Sequence, residues 1–343
     1  MLQSITLRNS LVRPKQSLLL VRYITTTTAK KTASEIHTVE KQVEPKGTIL
    51  VRLSNEEERK EGAFLTKPVF EHPTFDKEEM KSVKYEHRPV KGLRDWITFH
   101  FVKNLRGTFD WFTGYQEIRN EEHRLQIANS ADKMTKEKWL ARFVVLESVA
   151  GIPGSVAGFL RHMRAMRMFR RDMGFIDTLY DEAFNERMHL LTFLKIARPT
   201  VWTRIMLWFG QGIFANLFFI TYVLSPRTCH RFVGYLEEEA VSTYTRCIED
   251  MERGLCPDLE TEPVPQIAKD YWKLNDNATM YDLLQYIRAD EAKHREVNHT
   301  FANLNIEGTD RNPFALQVGD GPQPNHTLHY HHAKGWERND IKV

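Results

Sequence analysis

Asp181 to Ala197 reads DEAFNERMHLLTFLKIA, which has the periodicity of a core helix and two residues a core helix should not carry. Ile176, Leu179, Ala183, Leu190, Phe193 and Ala197 recur at spacings of three and four, the stripe a helix buries. Glu186 falls on that stripe and His189 lies one turn further along the same side, so a carboxylate and an imidazole converge on one point. Burying a charged group is costly unless something pairs with it. One Glu-x-x-His alone is a weak signal, which a tilted surface helix can carry by chance.

The signal strengthens because it recurs with companions. RADEAKHREVNH, Arg288 to His299, supplies Glu291 and His294 at the same spacing, on a helix whose apolar side is Met280, Leu284, Ile287 and Phe301. LESVAGIPG puts Glu147 in line with Leu140, Phe143, Val144 and Ala150. GYLEEEAVSTYT offers Glu237, Glu238 and Glu239, and the helical wheel chooses among them. His230, Val233, Glu237, Val241, Tyr244, Ile248 and Met251 form a seam, whereas Glu238 shares a polar face with Arg231, Ser242, Thr245 and Glu249, so Glu237 is expected to point inward. A Glu from each of two helices and a Glu-x-x-His from each of two others is the dinuclear carboxylate arrangement of a ferritin-like four-helix bundle. The four carboxylates carry four negative charges, which two divalent ions neutralise. Imidazole with carboxylate favours iron or manganese over calcium, and the absence of thiolates argues against zinc or an iron–sulfur centre. Buried salt bridges would explain the same carboxylates only with basic partners at core positions, and none lies on these four stripes.

The surrounding chain fits one main all-α domain with appendages. At 343 residues, 41% hydrophobic and 27% charged, it can bury a sizeable core, and its net charge of +3 carries no nucleic-acid footprint. Cys229, Cys247 and Cys256 have neither a CxxC spacing nor an even number, which excludes a disulfide framework. Residues 1–34 are basic, hydroxyl-rich and free of acid, the composition of a mitochondrial transit peptide. Residues 35–94, broken by prolines, read as an extended arm of a kind that can wrap a neighbouring copy in a homodimer. The helical domain spans 95–304, with helices expected at about 136–167, 172–197, 200–223, 227–253 and 279–304. WITFHFVKNLRGTFDWFTGY, Trp96 to Tyr115, is apolar with Lys103 and Arg106 at its edges, a pattern for a helix at a lipid surface. IMLWFGQGIFANLFFITYVL, Ile205 to Leu224, has no charged residue over a length that could cross a bilayer. Short connections at 198–200 and 225–226 force antiparallel packing, which favours one face in the bundle and one in a single leaflet. The tail, 305–343, is expected to be solvated despite His326, His329, His331 and His332.

At its four motifs the sequence resembles the alternative oxidase family of mitochondrial non-haem quinol oxidases. LESVAGIPG, NERMHLLTF, GYLEEEAVSTYT and RADEAKHREVNH follow the family's signature segments in order, and the likeness runs from about Tyr85 through NPF at Asn312 to Phe314. Ser148 stands where the family usually has Thr, and the arm lacks the cysteine used in the thiol-linked 2-oxo acid activation of plant relatives. The resemblance implies ubiquinol oxidation coupled to reduction of dioxygen to water without proton pumping, two iron ions, and a peripheral place on the matrix side of the mitochondrial inner membrane. It implies Glu147, Glu186, His189, Glu237, Glu291 and His294 as metal ligands and Tyr244 as a redox-active tyrosine. It maps the quinone pocket onto Arg142, Leu146, Glu239, Ala240 and Thr243. Asn185, Tyr222, His230, Trp272 and Asp290 match the family's hydrogen-bonding set around the metals. Two other readings share the ligand pattern: a di-iron quinone hydroxylase and a ferritin-like iron store.

Overall fold

Side chains cap several of the helices before any tertiary contact is made. Thr135 accepts from Lys138 N and Thr200 from Thr203 N, and Thr279 forms a reciprocal capping box with Asp282. The structure, a computed structural model, describes residues 68–341 apart from 309, 319–322 and 325. Among these residues the regular elements are all helical: α1 (Lys77–Ser82), α2 (Leu93–Thr113), α3 (Glu121–Ala128), α4 (Lys136–Met168), α5 (Phe175–Ala197), α6 (Val201–Leu224), α7 (Pro226–Glu252), α8 (Pro257–Glu260), α9 (Gln266–Trp272) and α10 (Met280–Asn303). The transit-peptide segment and the first part of the arm lie outside the described residues. The five long helices fall close to their expected bounds. The largest shift is at α5, which starts at Phe175 rather than Asp172 because Gly174 takes a left-handed turn, φ 83°, and Asp172 stays outside to accept from Ile176 N.

Helices α4 and α5 form one tightly packed pair and α7 and α10 the other, and together they make the bundle. Each pair closes on a glycine. A Cβ at Gly154 would lie 2.5 Å from the Leu179 carbonyl oxygen, and one at Gly234 2.4 Å from His299 Nδ1, so any larger residue would push the helices apart. Two large apolar clusters flank the middle of the bundle. One holds Trp139, Phe143, Phe193, Tyr244, Trp272 and Leu283, and the other Phe175, Leu179, Phe218, Val233, Tyr235 and Phe301. On each of the four helices the inward Glu and His positions fall between residues of the two clusters, so the polar layer is closed above and below by hydrocarbon.

Helix α6 lies along α4 and α7, tied by Gln211 Nε2 donating to the Ser148 carbonyl at 2.7 Å, with Phe218 and Tyr222 buried. Its other side is bare: Trp202, Met206, Trp208, Ile213, Leu217 and Leu224 are exposed, and Trp96, Phe101, Trp111 and Phe112 of α2 are too. Both α4 and α6 are long and apolar enough to cross a membrane, but half of the apolar stretch of α4 is buried in the protein against 11% of that of α6.

Two appendages depart from expectation. The described part of the arm packs onto its own chain, where Phe75, Met80 and Val83 cluster with Val241, Ala289, Ala292 and Leu328. The tail is not simply solvated. Buried Glu296 accepts from His332 N at 2.8 Å and Trp336 Nε1 at 2.9 Å, and the His331 ring reaches both Glu296 and Arg295. A buried carboxylate needs such donors, and the tail supplies them. His326 and His329 remain exposed.

Candidate metal centre and the cavity beside it

The four bundle helices bring Glu147, Glu186, His189, Glu237, Glu291 and His294 together. Donor atoms of Glu147, Glu186, His189 and Glu291 lie within 4.8 Å of one another, and so do those of Glu186, Glu237, Glu291 and His294. All six residues are buried. The two sets overlap at Glu186 and Glu291, with Glu147 and His189 completing one and Glu237 and His294 the other.

The donor set is able to bind metal ions. Glu147 Oε2, both Glu186 oxygens, His189 Nδ1, Glu291 Oε2 and His294 Nδ1 are buried with no hydrogen-bond partner. Even the closest approach, His294 Nδ1 to Glu186 Oε1 at 2.6 Å, is misaligned for a hydrogen bond. The other imidazole–carboxylate separations there are 3.3–3.4 Å. Unpaired buried polar atoms are rare because each carries its full desolvation cost, and here six of them face a common centre. Burial, with Glu291 and Glu186 nearby, holds the Glu147 and Glu237 carboxyls well above the usual carboxylate range. Burial acts on Glu186 in the same direction, but His294 and His189 outweigh it and draw Glu186 down. Burial opposes charge on His189 and His294, yet Glu186 and the neighbouring carboxylates pull both up. The cluster is short of positive charge, which two divalent ions would supply.

Outer partners fix the ligands. Asp290 lies 3.2 Å from His189 Nε2, so a proton on that nitrogen leaves the Nδ1 lone pair facing the centre. Trp272 Nε1 donates to Asp290 at 2.8 Å, and the His72 ring reaches it at 2.7 Å. Burial alone would raise the Asp290 carboxyl, but the His72 and His189 rings outweigh it and hold the group well below its ordinary range. Tyr222 bonds to His230, His230 to Asn298, and Asn298 Nδ2 to Glu182 and the His294 carbonyl. Asn185 donates to the Tyr271 hydroxyl and touches no ligand by hydrogen bond. The fully buried Tyr244 O–H donates to Glu147, and its ring stacks on Phe143 at 4.8 Å. Burial first, then Glu147, keeps this phenol from ionising.

A cavity of about 290 Å³, lined almost wholly by hydrocarbon, opens between α2, α4, α6 and α7. Leu146, Glu239 and Thr243 line it, while Arg142 and Ala240 do not. Arg142 sits behind the wall, donating to Asp110 at 2.8 Å and to Thr113, with its guanidinium over Phe109 and Tyr115. Arg106, read from sequence as a basic edge, instead turns inward and joins Glu239 at 2.9 Å, Thr243 at 3.2 Å and Asp110 at 2.9 Å. Burial raises the Glu239 carboxyl, and Arg106 offsets part of that rise.

Glu238 also departs from its expected polar face. It is as buried as Glu237, but it accepts from Arg88 N at 2.8 Å and bonds His299 at 2.9 Å and His87 at 2.6 Å. The arm covers the side of α7 that periodicity marked as polar. His72, Arg106 and Asn298 were not found from sequence. The HPTF run of the arm and the inward Asn298, one turn beyond His294, were the available signals.

The sequence profile of the alternative oxidases matches residues 75–303. The mitochondrial alternative oxidase of Scheffersomyces stipitis is 49% identical over 284 residues, 82% of this chain and 79% of the relative. Mitochondrial alternative oxidase 2 of Candida albicans is 50% identical, covering 82% and 77%, and the mitochondrial alternative oxidase of Yarrowia lipolytica is 50% identical, covering 81% and 78%.

Proposed function

The chain belongs to the alternative oxidase family, and on that premise we propose that it is a ubiquinol oxidase, passing electrons from ubiquinol to dioxygen and forming water without pumping protons. The observation that carries the reading is the pair of overlapping buried donor sets at the centre of the bundle, six of whose donor atoms have no hydrogen-bond partner. Glu147 and His189 would hold one ion and Glu237 and His294 the other, with Glu186 and Glu291 available to both. Bound there, two irons supply the redox chemistry that accepts electrons from quinol and delivers them to dioxygen.

The chain's own residues do the rest. The apolar cavity takes the quinol ring, with Glu239 and Arg106 at its polar corner. Arg106 positions Glu239 to accept a proton from a quinol hydroxyl, and a carboxyl raised by burial is suited to take it. Leu146 and Thr243, on the cavity wall, are the chain neighbours of Glu147 and Tyr244, so quinol sits against the outer side of the centre. Tyr244 holds its proton against Glu147 in hydrocarbon surroundings, so it gives up an electron only together with that proton. Asp290, braced by Trp272 and His72, holds the His189 ring in place.

Quinol is insoluble in water, and the bare apolar sides of α2 and α6 support a protein lying on one leaflet with the cavity mouth toward lipid. The length of α6 packed along α4 and α7 favours this over a span. The relatives are named as mitochondrial, and with residues 1–34 as leader this domain, 95–304, works at the matrix side of the inner membrane, between the arm (35–94) and the tail (305–343).

Oxygen uptake by the purified protein with a ubiquinol analogue, in the presence of cyanide, tests the reading. Sustained uptake with labelled dioxygen recovered in water is expected. Label in the quinone product would make the protein a hydroxylase, and iron storage without quinol oxidation would make it a ferritin-like store.

A further inference from the structure

The quinol-facing cavity is a poor path for a metal ion, because hydrocarbon would strip a divalent cation of its water with nothing in return. A second cavity, of about 90 Å³, reaches the centre elsewhere, with His294 and Asp290 in its wall. Asp181, Glu182 and Asn185 of α5 line it. Asn185 is 7% exposed and its Oδ1 has no hydrogen-bond partner, so a buried oxygen donor is left unspent in a cavity beside a metal ligand. These residues are also in register with the centre. Asp181, Asn185 and His189 stand about one turn apart on α5, as do Glu182 and Glu186, so oxygen donors climb the helix in steps of about 6 Å toward the ligands. Lys293, also in the wall, is paired with Glu296 at 2.7 Å.

We propose that this cavity is the passage by which divalent iron reaches and leaves the centre, with Asp181 and Glu182 gathering the ion and Asn185 Oδ1 handing it inward to Glu186 and His294. The inference rests on the two-iron reading of the centre, and adds the route to it. Both Glu182 oxygens accept from Asn298, at 2.9 and 3.0 Å, leaving Asp181, partly exposed, as the outer contact.

The test follows iron rather than oxygen consumption. Loaded full-length protein is mixed with a ferrous chelator and the release rate measured, and the stripped protein is then refilled with ferrous salt and its iron content followed in time. Asn185→Leu should slow both release and refilling by about tenfold, and Asp181→Asn should slow refilling by a smaller factor, with the final iron content equal to wild type. Asn185→Asp, which keeps an oxygen at the same place, should restore the wild-type rate. Wild-type rates in Asn185→Leu overturn the passage, and so does a lowered final content at an unchanged rate, since the residue would then hold iron rather than pass it. A wild-type protein that takes up no iron at all would instead fail the two-iron reading.

Discussion

Two buried regions of this molecule are built from the same residue types and behave as opposites. At the flank of α7 and α10, Glu238 is matched by His299, His87 and Arg88 N, and Arg231 donates to Asp95 at 3.0 Å and Asn303 at 2.6 Å. One residue away, Glu237 faces the centre, where six donor atoms have no hydrogen-bond partner. Both regions are deep, and both are rich in Glu and His. Burial and charge therefore do not distinguish a structural network from a site; the distinction lies in whether the polar atoms close on one another or converge on a shared point they leave open.

Exchanging neighbouring residues is the sharpest way to break that contrast. Glu237→Ala should remove a ligand and reduce quinol oxidation to background, with metal content falling alongside, as read by metal analysis and oxygen uptake. Normal iron content in this variant would move the ligand elsewhere on α7. Tyr244→Phe should keep full iron and lose turnover, because neither the fold nor the donor set uses the hydroxyl except through Glu147. Near-normal oxygen uptake would remove the tyrosine from the mechanism.

Asp290→Asn has a smaller effect. It weakens the hold on the His189 ring and should cost about 10–100-fold in metal affinity, measured by competition with a chelator. Affinity equal to wild type would mean that the packing of Trp272 on His189 fixes the ring alone. Glu238→Ala should leave iron content and turnover intact and appear only as lost stability. It strands His299 and the Arg88 N–H, at about 1–3 kcal/mol for each buried group left unpaired, read from the denaturation midpoint. Loss of iron in this variant would erase the contrast between the two regions.

The contrast also explains what could be read from sequence. The bundle and its inward residues were legible because each sits on a helix with clean periodicity: Glu147 lies among Leu140, Phe143 and Val144, and Glu186 among Leu179, Ala183 and Phe193, all of them buried. The two-metal pattern follows from those faces alone. The flank was not legible, because periodicity describes a helix against its bundle and carries no record of what covers its other side. Glu238 and Arg231 sit on a face that is polar in sequence and buried in the fold, covered by an arm whose described part has only one short helix before α2. His72 and Arg106 were missed for the same reason. Their partners, Asp290 and Glu239, are 218 and 133 residues away, and no local pattern encodes that pairing. Of the quinone-side residues suggested by resemblance, Leu146, Glu239 and Thr243 meet at one cavity, and Arg142 stays behind its wall, against Phe109 and Asp110.

The central claim is that the two donor sets form one centre bridged by shared carboxylates, and iron stoichiometry tests it most directly. Purified wild-type protein should hold two irons per chain, one for each set. Glu186→Ala, which removes a residue common to both sets, should lose both irons together. If Glu186→Ala retains one tightly bound iron while the other is lost, the sets are independent sites, and the bridged centre is contradicted.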